Sequence, residues 1–325
     1  MAVPSVDVVC IGNAIVDVIS QVPESFIDQY ELAKGSMTLI ETDRAEELYT
    51  AMPDRSESSG GSAANTAVGI ASLGGSVSYI GRVANDPLGE FFRTDLRAAG
   101  VGYDVSGATD GVPTARSMIF VTPDAERTMN TYLGASGLIT PDDVDAEVAG
   151  SGKITFCEGY LWDRDDAKAA IVKGMEAARA AGSKVSFTLS DPFCVDRHRH
   201  DFRALLGDQV DLVFANELEL LSLFEVDDIA AGVEHIRGHV EVAVVTRSEL
   251  GSVVITADDV IEVAAEPVDE VVDTTGAGDL YAAGFLYGWA IGAEPGVCAR
   301  LGHIAAAEVI SHVGARPLQP LNGMI

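Results

Sequence analysis

An α/β protein is predicted: a parallel sheet with helices on both faces, and a small β-sheet subdomain beside it. Three observations lead there. β-Branched runs and helical patterns alternate over about 250 residues, as strand–helix–strand units do. Hydrophobic residues make up 47% of the 325-residue chain and aromatics only 6%, so a sizeable core is available, built mostly of Ala, Val, Leu and Ile. Four further strand-like runs have no helix after them.

The alternation begins at Val6–Ile11, a β-branched run ending at Gly12 that reads as a buried strand. Asn65–Leu73 has helical spacing and stops at Gly74-Gly75. Ser76–Ile80 is then a strand, and Pro87–Ala99 a helix closed by Gly100. Ile154–Cys157 reads as a strand and Asp166–Ala181 as a helix stopped by Gly182. Lys184–Leu189, Leu212–Ala215 and Val242–Thr246 read as strands, with helices at Phe202–Leu206 and Glu217–Phe224 and a long one at Asp279–Ile291. Outside the pattern lie Ile15–Val22, Met37–Glu41, Thr114–Val121 and Arg127–Leu133, the last two joined by the turn-rich Thr122–Glu126. These four read as a small sheet made from two insertions, able to cover a site as a lid. Residues 53–61 (PDRSESSGG) are the most loop-like stretch.

The net charge of −29, from 21 basic and 50 acidic residues, repels phosphate backbones and anionic lipid, which argues against nucleic-acid and membrane partners. Cys10, Cys157, Cys194 and Cys298 have no zinc spacing, and the chain is too large and cysteine-poor for a disulfide scaffold. They read as buried thiols in a reducing cytosol. Residues 1–20 lack a basic start followed by an apolar block. The longest uncharged run, Leu280–Ala293, falls short of the ~20 residues a bilayer span needs. A cytoplasmic location is expected.

Four constellations carry chemistry. In Asp273–Asp279 (DTTGAGD), Gly276, Ala277 and Gly278 leave backbone N–H groups free to face an anion, and the following helix adds its positive end. Asp279, at the helix start, either caps it or points at a bound hydroxyl. In Gly60–Asn65 (GGSAAN), the glycines allow close approach of a ligand, and Asn65 lies one turn into a helix. Asn13 and Asp17 follow the first strand, where ligands of open parallel sheets bind, although Asp17 also reads as an ordinary surface carboxylate. Asn216 and Glu219, three apart after another strand, either hold Mg²⁺ through water or cap a helix. No G-x-x-x-x-G-K-[ST] occurs, and no G-x-G-x-x-G follows the first strand. His235 and His239, and His198-Arg199-His200, read as exposed surface rather than metal or phosphate sites.

In this order, the four pieces make the chain resemble the PfkB-type, or ribokinase-like, family of sugar and nucleoside kinases. Gly60–Val101 (GGSAANTAVGIASLGGSVSYIGRVANDPLGEFFRTDLRAAGV) is similar to the first family signature and Asp273–Gly284 (DTTGAGDLYAAG) to the second. The resemblance implies a three-layer α/β/α sandwich with a small β-sheet lid. The main domain would hold residues 1–12, 42–112 and 134–325, and the lid residues 13–41 and 113–133. It also implies Asp279 as catalytic base and Gly276, Ala277 and Gly278 as the anion hole. Asn13, Asp17, Gly61 and Asn65 match positions that hold the acceptor's hydroxyls. Asn216 and Glu219 match a motif tied to Mg²⁺ and phosphate. Thr246 and Gly251 match a nucleotide loop, from which Arg247 and Ser248 depart. Asp273 and Thr275 match positions around a monovalent-cation site, K⁺, of some members. Arg127 resembles a phosphate-contacting arginine of adenosine kinases.

ATP, Mg²⁺ and K⁺ are the cofactors so implied. An aspartate ordinarily titrates near ~3.9, so Asp279 is expected ionised and ready to take the acceptor's proton as its oxygen attacks the γ-phosphorus. Pro113–Ser136 and Gly12–Asp17 look more like adenosine kinases than ribokinases. A nucleoside, adenosine foremost, is one expected acceptor, and ribose or fructose the alternative. Ile15, Met37, Leu39, Leu133, Tyr160 and Trp162 are candidates for a base slot. Two non-enzymatic readings stand beside these: a sugar- or nucleoside-binding protein without catalysis, and a structural homo-oligomer. A lid sheet pairing across a homodimer is a further expectation.

Overall fold

The computed structural model describes residues 5–124 and 126–325, so Ala125 of the Thr122–Glu126 link lies outside the described residues. From the amino end the chain forms β1 (Val6–Ile11), β2 (Ile15–Gln21), α1 (Glu24–Gln29), β3 (Met37–Leu39), α2 (Thr42–Ala51), β4 (Ser56–Gly60), α3 (Ser62–Ser72), β5 (Val77–Ile80) and α4 (Pro87–Ala98). Then come β6 (Ala115–Val121), β7 (Arg127–Tyr132), α5 (Ala146–Ala149), β8 (Gly152–Glu158), α6 (Asp165–Ala181), β9 (Lys184–Thr188), α7 (Pro192–Asp208), β10 (Leu212–Asn216) and α8 (Glu217–Phe224). The last part holds α9 (Ile229–Ile236), β11 (Val242–Thr246), β12 (Ser252–Thr256), β13 (Val260–Val263), α10 (Ala277–Ala290) and α11 (Pro295–Ile310).

The larger sheet runs β13-β12-β11-β10-β9-β8-β1-β5. Its strands from β5 to β11 are parallel, as the alternation predicts. The two at the β13 edge are antiparallel, which corrects the all-parallel expectation. They follow β11 through short connections, the first a single 3-10 turn at Ser248–Leu250, with no α-helix between, so the chain reverses on itself. Side chains alternate across this sheet: Val8, Cys10, Val242 and Val244 enter one core with α3, α10 and α11. Val9, Ile11, Ala243 and Val245 enter another with α6, α7 and α8. Both faces are buried, which accounts for the unbroken apolar runs Leu212–Ala215 of β10 and Val242–Val245 of β11.

The smaller sheet runs β3-β7-β6-β2-β4. The four expected strands are present, with β6 and β7 an antiparallel pair. A fifth, β4, lies in the stretch read as loop. Its serine-rich sequence lacks strand propensity, but as an edge it needs one partner and pairs antiparallel with β2 through Ile15 to Ile19. Val16, Val18, Met118 and Phe120 of this sheet pack with Ile27 and Leu48 of α1 and α2. The opposite face, with Ile15, Asp17, Ser117 and Thr131, turns to the larger sheet across a cavity. Among the described residues no helix is long and apolar enough to cross a membrane.

Candidate active site

A cavity of about 460 Å³ lies between the two sheets, beyond the carboxyl ends of the larger sheet's strands. Thr188, Asn216 and Thr246, the last residues of β9, β10 and β11, line it, as do the first turns of α3 and α10. Asp279 sits on its wall. One carboxylate oxygen accepts from Ser62 Oγ at 2.7 Å and the other from Asn65 Nδ2 at 2.9 Å. Burial raises this carboxyl above its ordinary value, and those two donors oppose the rise. Ser62 is a site residue that its small size and ordinary type hid in the sequence.

The loop before Asp279 is shaped for an anion. Gly276 holds a left-handed φ of 79° as the N-cap of α10, where a side chain would press on Ala315. The N–H groups of Gly276, Gly278 and Asp279 have no acceptor among the described residues, and a Cβ on Gly278 would meet only open space. Free amides at a helix start, on a cavity wall, make an anion-binding surface. Gly61 lines the cavity with φ 102°, and a side chain there would sit on the Asn13 carbonyl. Gly60 is equally confined, because a Cβ would strike the Asp17 carboxylate. Asp17 reaches the cavity, and its carboxyl is pushed up to about 6 by burial. Arg316 and Arg127 nearby oppose that rise and Asp279 adds to it.

Asn13 is not brought to the cavity. Its side-chain amide donates to Glu158 at 2.6 Å and its oxygen accepts from Ser136 at 2.7 Å, so both polar atoms are engaged within the protein and the residue is absent from the cavity lining. The buried Glu158 also takes the backbone N–H groups of Asn13 and Ala63, each at 2.8 Å. Burial pushes its carboxyl up to about 7, against those donors and with Asp279 adding to the rise. It ties the loop after β1 to the start of α3, which carries Ser62 and Asn65. As a lone glutamate ending a strand, it gives no local sequence signal.

Asn216 and Glu219 line the cavity and form a reciprocal cap on α8: Asn216 N–H donates to Glu219 Oε2 at 3.0 Å and Glu219 N–H to Asn216 Oδ1 at 2.9 Å, while Asn216 Nδ2 also donates to Glu219 Oε1 at 2.6 Å. Burial pushes Glu219 up to about 7, Asn216 opposing and Asp191 adding. Among the described residues no cationic side chain pairs with Glu219, so the donor set fits an ion that keeps most of its water and takes one carboxylate. Gly251 misses the cavity; with φ 89° it turns the chain from β11 into β12. Of the candidate base-slot residues, Ile15 and Tyr160 line the cavity. Met37 and Leu39 are exposed, Leu133 lies off the lining, and Trp162 is buried with its indole N–H on Asp201. The apolar wall comes instead from Ile119, Met129 and Phe156.

Asp273 and Thr275 do not fit a monovalent cation. One Asp273 oxygen accepts from Thr275 N–H at 3.0 Å and Oγ1 at 2.7 Å. The other accepts from Gly314 N–H and meets Arg127 Nη1, each at 2.8 Å. Arg127 therefore stands against Asp273 rather than on the cavity wall.

The family model described as pfkB family carbohydrate kinase matches residues 6–321. The chain belongs to that family. It is a kinase acting on a sugar or nucleoside, and the resemblance read from the two signatures holds, as does the ribokinase-like α/β fold. A probable sugar kinase from Rhizobium etli CFN 42 is 47% identical and superposes with a TM-score of 0.91, covering 99% of this chain and 98% of that one. An adenosine kinase from Sinorhizobium meliloti is 49% identical with a TM-score of 0.90, covering 98% of each chain. A fructokinase from Klebsiella pneumoniae is 30% identical over 71% of this chain and 76% of its own. Kinases of this family use ATP.

Proposed function

We propose that this kinase transfers the γ-phosphate of ATP to the hydroxymethyl oxygen of a nucleoside, adenosine foremost, with Asp279 as general base. One observation carries the reading: a carboxylate held by Ser62 and Asn65 stands beside peptide N–H groups that lack acceptors, on one cavity wall. The carboxylate receives the hydroxyl proton as the oxygen attacks, and the amides of Gly276, Gly278 and Asp279 stabilise the charge on the transferred phosphoryl group, whereas the Ala277 N–H is spent on the Thr274 carbonyl. Asp17, Gly61 and Asn65, which line the same cavity, orient the acceptor. Glu219, capped by Asn216, with Thr246 beside it, would hold Mg²⁺ and its water, which supplies Lewis-acid neutralisation of the phosphates. Residues 13–41 and 113–133, joined by the strand at 56–60, act as the lid that excludes water.

The 49% identity to an adenosine kinase and the apolar patch of Ile15, Ile119 and Met129 beside Asp17 support the nucleoside. The 47% identity to a probable sugar kinase supports a free sugar as the second reading. An ADP-release assay over adenosine, ribose and fructose tests both. In the same assay Asp279→Asn should lower kcat by about 10²–10⁴ with little change in KM. Transfer at the wild-type rate by D279N, or no turnover with any of the three, overturns the reading.

A further inference from the structure

Arg127, the first residue of β7, bridges the two sheets to reach Asp273, which opens the loop of free amides. The pair is 2.8 Å apart, and the side chains are only 12% and 7% exposed. Arg127 Nη1 also donates to Thr275 Oγ1 at 3.2 Å, while its Nη2 is buried without a partner among the described residues. Asp273 is fixed by Thr275 and Gly314 as well, so it shapes the loop through hydrogen bonds to its backbone.

That carboxylate creates an electrostatic difficulty. It is hydrogen-bonded to the loop proposed to accept phosphate, in a poorly solvated place where charge is weakly screened. Asp17, Glu219 and Asp279 already line the same cavity. A fourth uncompensated anion would repel the polyphosphate that the amides attract.

We propose that Arg127 is a charge-compensating positioning residue: it cancels Asp273, so the amide loop accepts phosphate only while the smaller sheet is seated on it. The inference rests on the kinase reading, and it differs from direct phosphate contact by Arg127. If Arg127 chiefly grips phosphate, removing the Asp273 charge cannot replace it. If it chiefly neutralises Asp273, the two losses offset one another.

The test compares wild type, R127A, R127K, D273N and R127A/D273N. Two readouts are taken: kcat/KM for ATP, and calorimetric affinity for the non-hydrolysable analogue AMP-PNP with Mg²⁺. Leaving one partner of a buried pair uncompensated is costly, so R127A should lose at least about tenfold in both readouts. Adding D273N to R127A should restore most of that loss, and R127K, which keeps the charge, should stay well above R127A. A double variant no better than R127A, or an R127K as poor as R127A, overturns the proposal. Melting curves identify any variant that fails to fold, and R127K and D273N then carry the comparison. Should wild type turn over no acceptor, the kinase reading fails separately, and AMP-PNP affinity still decides the role of Arg127.

Discussion

Replacing Glu158 by glutamine tests how the loop after β1 is fastened to the start of α3. Its carboxylate receives three donors: Asn13 N–H and Nδ2 on one oxygen, Ala63 N–H on the other. A glutamine can keep its oxygen toward Asn13, but then its NH₂ faces the Ala63 N–H. One hydrogen bond is lost and two buried donors oppose each other, costing about 1–3 kcal/mol. A protonated glutamate escapes part of this cost, because it carries one hydrogen that can turn away. The folded-state pKa of Glu158 is raised from the ordinary 4.5 to about 7. Such a group contributes stability that is fully present below the unfolded pKa and is lost as pH rises through the folded one. Between about pH 5.5 and about pH 8.5 the wild type should therefore lose about 2 kcal/mol through this group, a loss that glutamine cannot show. Asp279, which adds to the rise, is present in both proteins. Urea unfolding of wild type and E158Q at the two pH values is the assay. The wild-type advantage should be larger at the acid end and shrink by about 2 kcal/mol at the alkaline end. A difference that stays constant with pH refutes the reasoning.

Ser62→Ala removes one of the two donors that oppose the raised pKa of Asp279. The carboxyl should then ionise at higher pH, and the acid limb of the kcat/KM profile should move upward, while an unmoved limb separates Ser62 from the base. Gly61→Ala forces a side chain onto the Asn13 carbonyl at φ 102°, a region almost confined to glycine. It should destabilise the protein by about 2 kcal/mol or more, read as a fall in melting temperature of several degrees. An unchanged melting temperature would mean that the backbone there is free to relax.

The parts legible in sequence are those whose physics is local. Gly276-Ala277-Gly278-Asp279 needs only bare backbone at a helix start, and it lies on the cavity wall. The strands at Val6–Ile11 and Val242–Thr246 are legible because burial on both faces leaves their inner stretches, Val8–Ile11 and Val242–Val245, without a polar residue. What failed was non-local. Whether Asn13 faces a ligand depends on Glu158 and Ser136, more than 120 residues away, which take up its amide. The same distance hides Glu158. Ser56–Gly60 is a strand because β2 offers it an edge, not because of its own residues. Arg127 meets Asp273 through the docking of two sheets, and no spacing along the chain encodes that.

No linker separates β4 from α3: Gly60 closes the strand, Gly61 turns the chain, and Ser62 opens the helix. The roof of the pocket and the hydroxyl that grips Asp279 are thus two arms of one crank, with a single glycine as its elbow. Gly61 consequently carries two duties at once, since the angle it sets between strand and helix also sets the reach of a donor that opposes the raised pKa of Asp279.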